Sequence, residues 1–179
     1  MSEKQWPNRR PVLEQGAIDF GIETVTLPNQ VTIDLPIVRH PGASAIVALY
    51  GNGSIAMVSQ YRHAIGAYLW EVPAGCRAVG ESFLNCAKRE LREEAGLSAA
   101  RWDRLGSIVT VPSFCDERIE LFLARDLSCA SGQPDADEVI RVERLSMKQL
   151  LTMIRAGEIV DSKTIAALHH ADEAIKSSG

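Results

Sequence analysis

The order of apolar runs and amphipathic stretches predicts an α/β fold, a mixed sheet held between helices, with a small antiparallel β extension ahead of it. Three observations carry this. Residues 45–50 and 55–60 are nearly continuous apolar runs around Gly51-Asn52-Gly53-Ser54, a hairpin whose strands are covered on both faces. Leu84, Ala87, Leu91 and Ala95 recur at i, i+3, i+7 and i+11, the buried stripe of a helix that Gly96 ends. Two further helical patterns close the chain, at about 146–156 and 161–176.

Taken in order, residues 1–40 alternate short β-like runs with turns. Val25-Thr26-Leu27 and Val31-Thr32-Ile33-Asp34-Leu35 flank a hairpin tip at Asn29-Gln30. This segment is the β extension, and residues 41–179 form the main domain. After the 45–60 hairpin, Trp70-Glu71-Val72-Pro73-Ala74-Gly75 reads as a strand end and a turn, with Gly75 allowing close backbone approach. Further strands are expected near 106–111 and 119–125. No repeat or low-complexity segment interrupts the chain.

Composition narrows the function. With 179 residues, 46% of them hydrophobic, the chain can bury one sizeable core. A net charge of −4 with dispersed Lys and Arg leaves no electrostatic footprint for nucleic acid. No apolar run approaches the ~20 residues needed to span a bilayer, and the first ten residues lack the apolar core of a signal peptide. A cytoplasmic protein is expected. Cys76, Cys86, Cys115 and Cys129 have no Cys-x-x-Cys spacing and read as reduced, part-buried thiols. His40, His63, His169 and His170 lack a zinc spacing and receive no chemical role.

The chemistry concentrates in Arg89-Glu90-Leu91-Arg92-Glu93-Glu94-Ala95-Gly96-Leu97. Helical spacing makes Glu90, Glu93 and Glu94 neighbours on one surface, where like charges repel by a few tenths of a kcal/mol per pair. Carboxylates converging there suit a hard divalent cation such as Mg²⁺ or Mn²⁺. The plain alternative is a solvated helix with an ordinary Arg89–Glu93 ion pair. On either reading the charged face is expected to look away from the core, with the preceding loop able to fold back over it.

The flanking residues add a family resemblance. Gly75, Glu81, Arg89, Glu90, Leu91, Glu93, Glu94, Gly96 and Leu97 fit Gly-x5-Glu-x7-Arg-Glu-U-x-Glu-Glu-x-Gly-U, where U is a bulky aliphatic. This resembles the Nudix box, and the fold it implies is the Nudix-type α/β/α sandwich. The resemblance implies hydrolysis of a nucleoside diphosphate linked to another moiety. It gives Glu90 and Glu94 the metal ions, with Glu93 and the Ala74 carbonyl assisting. Arg89 would orient the glutamates, and Glu81 would be largely structural.

Outside the box, Gln60-Tyr61-Arg62, the Trp70–Gly75 run, Pro112 (15 residues after Leu97) and Gly157-Glu158-Ile159-Val160-Asp161-Ser162-Lys163-Thr164 resemble the ADP-ribose pyrophosphatase branch. That branch implies diphosphate contact by Arg62, with pairing to a surface carboxylate as the alternative. It implies sugar contact by Glu117. The branch commonly has glycine after the marker proline, where this chain has Ser113, and losing it is expected to cost backbone freedom beside the sugar. The catalytic base would come from the loop at 132–141, with Glu138 aligning best and Glu93 and Glu117 competing. A homodimer with exchanged N-terminal hairpins is also implied, in which Trp6, Phe20 or Arg39 holds the base. The implied reaction is Mg²⁺-dependent cleavage of ADP-ribose to AMP and ribose 5-phosphate. The alternatives are the same chemistry on GDP-mannose or ADP-glucose, and a non-catalytic nucleotide-sugar-binding regulator. A regulator would be marked by a missing box glutamate, and none is missing.

Overall fold

The structure, a computed structural model, describes residues 8–131 and 140–177. The chain divides into two compact units, Met1–Pro41 with Val109–Arg118, and Gly42–Ile108 with Ile119–Gly179.

The first unit holds an antiparallel sheet of β1 (Arg9–Gln15), β2 (Ile18–Thr26) and β3 (Thr32–Arg39) in sequence order. The expected turn at Asn29-Gln30 joins β2 to β3, with Gln30 at φ 66° and Leu27 N–H donating to Val31 O at 2.9 Å. The β1–β2 register slips between Pro11 and Leu13. Proline has no ladder donor, so an edge strand with a bulge is where it can sit. Residues 109–118 return to β3, where Val38 N–H donates to Phe114 O at 2.7 Å and Asp116 N–H to Val38 O at 3.2 Å.

The second unit is built on a seven-stranded mixed sheet. Its elements are β4 (Ala43–Leu49), β5 (Ser54–Arg62), β6 (Ala67–Glu71), β7 (Ala74–Cys76), α1 (Phe83–Ala95), β8 (Leu97–Val109), β9 (Arg118–Cys129), β10 (Ile140–Ser146), α2 (Met147–Ala156) and α3 (Ser162–Lys176). The main order is β10-β5-β4-β9-β8, with β6 paired to β5 and β7 to β4. β4 and β9 run parallel, whereas β5 pairs antiparallel with β4, β6 and β10.

Strand β4 shows why its sequence is apolar throughout. Ala45 and Val47 join Leu121, Leu123, Leu168 and Ala171 in a core under α3. The intervening Ile46 and Ala48 join Phe122 and Ala124 in a second core closed by Ala87 and Leu91 of α1. Successive side chains point to opposite faces, so a strand covered on both sides has no polar positions to offer.

One expectation changes here. The strand near 106–111 instead starts at Leu97, directly after α1. Gly96 at φ 63° turns the chain from helix to strand without a loop, and the charged Arg101, Asp103 and Arg104 hid the first half of that strand. The preceding turn folds back over the glutamate face of α1: Glu90 and Glu94 are only 8% and 3% exposed, with β7 packed over the helix. Among the described residues no helix is long and apolar enough to cross a membrane.

Candidate active site

The site in the second unit starts from the ends of α1. Ser82 caps the helix, its Oγ accepting from Asn85 N–H at 3.2 Å. Glu81, just outside, accepts from Ala78 N–H at 3.0 Å and from Arg89 Nε and Nη2 at 3.1 and 3.0 Å. The Arg89 hydrogen bond is the main reason that the Glu81 carboxyl lies below its ordinary pKa. Arg89 then reaches the box, its Nη1 donating to Glu90 Oε1 at 2.6 Å and Glu93 Oε2 at 3.0 Å. Its Nη2 also donates to Cys76 O at 2.9 Å. One guanidinium therefore ties together the loop, Glu81 and two box glutamates.

The turn between β6 and α1 presses directly on the glutamates. A Cβ placed on Gly75 would lie 2.1 Å from Glu90 Oε1, so only glycine leaves room for that carboxylate. Ala74 N–H donates to Glu94 Oε2 at 2.8 Å. Cys86 donates from Sγ to Gly75 O at 3.3 Å, and burial pushes its thiol pKa up to about 11. The described residues contain no cluster of three or more His, Cys, Asp or Glu in ligating arrangement. Arg89 pairs with both Glu90 and Glu93. The donor chemistry fits a hard divalent cation: carboxylates, those of Glu90 and Glu94 on residues largely withdrawn from water, packed under a backbone turn.

Arg62 ends β5 and pairs with Glu71, the last residue of β6. Its Nε and Nη2 donate to Glu71 Oε1 and Oε2 at 2.8 and 2.7 Å, a bidentate pair. Lys163 Nζ donates to the same Glu71 Oε2 and, at 3.0 Å, to Asp161 Oδ2. Burial works to raise the Glu71 pKa, but Arg62 and Lys163 together outweigh it and hold the carboxyl below the ordinary range. The bond to Glu71 raises the Arg62 pKa, and the charge on Glu94 acts in the same direction. Arg62 thus does pair with a carboxylate, though a buried one at 1% exposure rather than a surface one. The sequence alone gives Glu71, Lys163 and Asp161 no role. The available signal was a glutamate set between Trp70 and Val72 at a strand end, where burial demands a cation.

In the first unit, Arg39 donates from Nε to Glu23 Oε1 at 2.8 Å and from Nη1 to Asp116 Oδ2 at 3.0 Å. Its Nη2 is taken by the other oxygen of buried Glu23. All three edges are engaged, which fixes the plane of the guanidinium. Glu117 accepts from Thr110 Oγ1 at 2.6 Å and lies 3.6 Å from His40 Nε2. Pro112 opens a turn in which Phe114 and Cys115 N–H donate to Val111 O at 3.2 and 2.9 Å. No residue of that turn has positive φ. Ser113, where the branch commonly has glycine, is therefore accommodated without a left-handed backbone. Phe20 is half-buried on β2. Trp6 and Glu138 lie outside the described residues.

The NUDIX domain family matches residues 38–168. The chain belongs to the NUDIX family. Its box, Gly75 to Leu97, runs from β7 through α1 to the first residue of β8 with every specified residue present. Among relatives of this NUDIX protein, the ADP-ribose pyrophosphatase of Mycobacterium tuberculosis is 40% identical over 162 residues, covering 87% of this chain and 77% of the relative. The ADP-ribose pyrophosphatase of Bacillus subtilis is 36% identical over 155 residues, covering 86% and 84%. A crystal structure of an ADP compounds hydrolase superposes with a TM-score of 0.82 at 20% identity, covering 97% of this chain and 94% of that one. That match establishes the fold, the mixed sheet between helices.

Proposed function

We propose that this NUDIX protein hydrolyses the diphosphate bridge of a nucleoside diphosphate sugar, ADP-ribose first, releasing AMP and ribose 5-phosphate. The observation carrying this reading is the burial of Glu90 and Glu94 under the Ala74–Gly75 turn, with Arg62 close enough for the Glu94 charge to act on it. The two relatives named ADP-ribose pyrophosphatase support the choice of substrate. Glu90, Glu94, Glu93 and the Ala74 carbonyl would hold Mg²⁺, or Mn²⁺ in its place, which when bound neutralises diphosphate charge and makes water a better nucleophile.

The protein's own residues do the rest. Arg62 offers a donor to the diphosphate while Glu71 fixes its orientation. Glu138, with Glu93 as second candidate, accepts the proton as water attacks phosphorus and the P–O–P bond breaks. Glu117 accepts hydrogen bonds from sugar hydroxyls. Arg39, held by its edges, has its faces to offer a base. The N-terminal β extension, residues 1–40, serves dimerisation, and the protein works in the cytoplasm as a homodimer.

The test is a panel of ADP-ribose, ADP-glucose and GDP-mannose with Mg²⁺ and Mn²⁺, ranked by kcat/KM. ADP-ribose should lead with AMP as product; a lead for GDP-mannose would replace the substrate assignment, and no hydrolysis of any member would sink the reading. Glu94→Gln keeps an acceptor for Ala74 N–H but removes a charge. It should lower kcat roughly 100-fold or more in a folded protein, because several kcal/mol of transition-state charge stabilisation goes with the ion.

A further inference from the structure

The first turn of α3 reaches the end of β6. Asp161 caps the helix, its Oδ2 accepting from Thr164 N–H at 3.0 Å, and the same oxygen accepts from Lys163 Nζ at 3.0 Å. Lys163 also donates to Glu71 Oε2, and Thr164 Oγ1 accepts from Val72 N–H at 2.9 Å. The Lys163 side chain is 14% exposed and the Glu71 side chain 2%, so this ion pair is largely out of water. Glu71 therefore serves two cations at once, one on β5 and one on α3.

The sharing has two consequences for Arg62. Its Nε and Nη2 are occupied by Glu71, while Nη1 has no hydrogen-bond partner among the described residues. The guanidinium is held in plane with one corner open. Charge is the second consequence. Glu71, Glu94 and Asp161 all act on Arg62 electrostatically, and Lys163, paired with two of these acids, offsets part of their charge. Removing the lysine would make the group around Arg62 more negative by one charge, facing an anionic substrate at short range.

We propose that Lys163 is a positioning residue for the diphosphate clamp: by sharing Glu71 it holds Arg62 with Nη1 presented and keeps the surrounding charge from repelling the substrate. It touches Glu71 and Asp161, not the reacting atoms. The inference rests on Arg62 being a diphosphate ligand, as proposed above.

The experiment compares wild type, Lys163→Met, Lys163→Arg, Arg62→Ala and the Lys163→Met/Arg62→Ala double variant. Two quantities are read: KM and kcat for ADP-ribose with Mg²⁺, and the Kd of ADP-ribose by calorimetry in EDTA. Lys163→Met should raise KM and Kd about tenfold, the usual worth of a charge-assisted contact, with kcat within about twofold. Lys163→Arg should recover most of that loss. In the Arg62→Ala background the Lys163 effect should vanish, because the two act as one unit. Should Lys163→Met fold poorly by thermal unfolding, Lys163→Gln keeps a donor to Glu71 without the charge, and the same rise is expected from it. Unchanged KM and Kd in a folded Lys163 variant, or losses that simply add in the double variant, would overturn the positioning role. Unchanged KM and Kd in Arg62→Ala would instead overturn the clamp itself.

Discussion

Replacing Gly75 with alanine tests the link between the turn and the glutamates. Gly75 does not have a positive φ, so alanine meets no backbone strain there and its effect arises from space alone. The new Cβ would lie 2.1 Å from Glu90 Oε1, 2.2 Å from Cδ and 2.5 Å from Oε2. Real Cβ contacts stay beyond 3.0 Å, so the nearest oxygen must retreat by at least 0.9 Å. Glu90 is 8% exposed and bonded to Arg89, so that retreat also disturbs the guanidinium that ties Glu81 and Glu93. Overpacking of this kind costs about 1–3 kcal/mol, partly offset by about 0.4–1 kcal/mol from the stiffer unfolded chain. A net loss of at most about 2.6 kcal/mol leaves the protein folded at room temperature. Activity should suffer more, because a displacement near 1 Å at a catalytic group can lower the rate about 100-fold. The assay is kcat across a Mg²⁺ titration, with urea unfolding run in parallel. Gly75→Ala should show a roughly 100-fold lower kcat and a higher Mg²⁺ half-saturation point. Wild-type kcat at an unchanged half-saturation would refute the idea that Glu90 must sit against a bare backbone.

The Glu71 network predicts an acid-side stability signature. Its folded pKa lies below the unfolded value, so its stabilisation is present above the unfolded pKa of about 4.3 and is lost as pH falls through the folded value. The stability gap between wild type and Glu71→Gln, by urea unfolding, should therefore be widest near pH 7 and narrow below about pH 4. A gap independent of pH would show that the carboxylate charge does not matter. The thiols should separate by reactivity. Cys76 and Cys129 are exposed, whereas Cys86 is buried with a pKa of about 11. Iodoacetamide at pH 8 should label the exposed pair well before Cys86. Early modification of Cys86, read by peptide mass spectrometry, would contradict the packing of α1 against the Gly75 turn.

How much was legible in the sequence follows from how local each signal is. The α1 stripe, the Gly96 stop and the 45–60 hairpin depend on periods of 3.6 and 2 and on turn chemistry, and each appeared within a residue or two of its expected place. Strand β7 is three residues long and the first half of β8 is charged and partly exposed, so neither carries a period to detect. The same division runs through the site. Glu90, Glu93 and Glu94 share one helix, and their proximity is a matter of spacing alone.

Glu71 and Lys163 are 92 residues apart and meet only because α3 docks its first turn onto the end of β6. No spacing encodes that pairing. Arg39, a candidate by residue type, proved to have its edges taken by Glu23 and Asp116, the latter 77 residues away. The sequence by itself determined the fold class, the family and the carboxylates of the box, because helix period, turn residues and a contiguous motif are properties of neighbouring residues. Tertiary structure alone decided that Glu90 and Glu94 are covered by a turn, that Gly75 has no room for a side chain, and that one buried carboxylate serves both Arg62 and Lys163. Those facts depend on which distant surfaces exclude water together, and burial is what turns a set of charges into a site that must be held in one geometry.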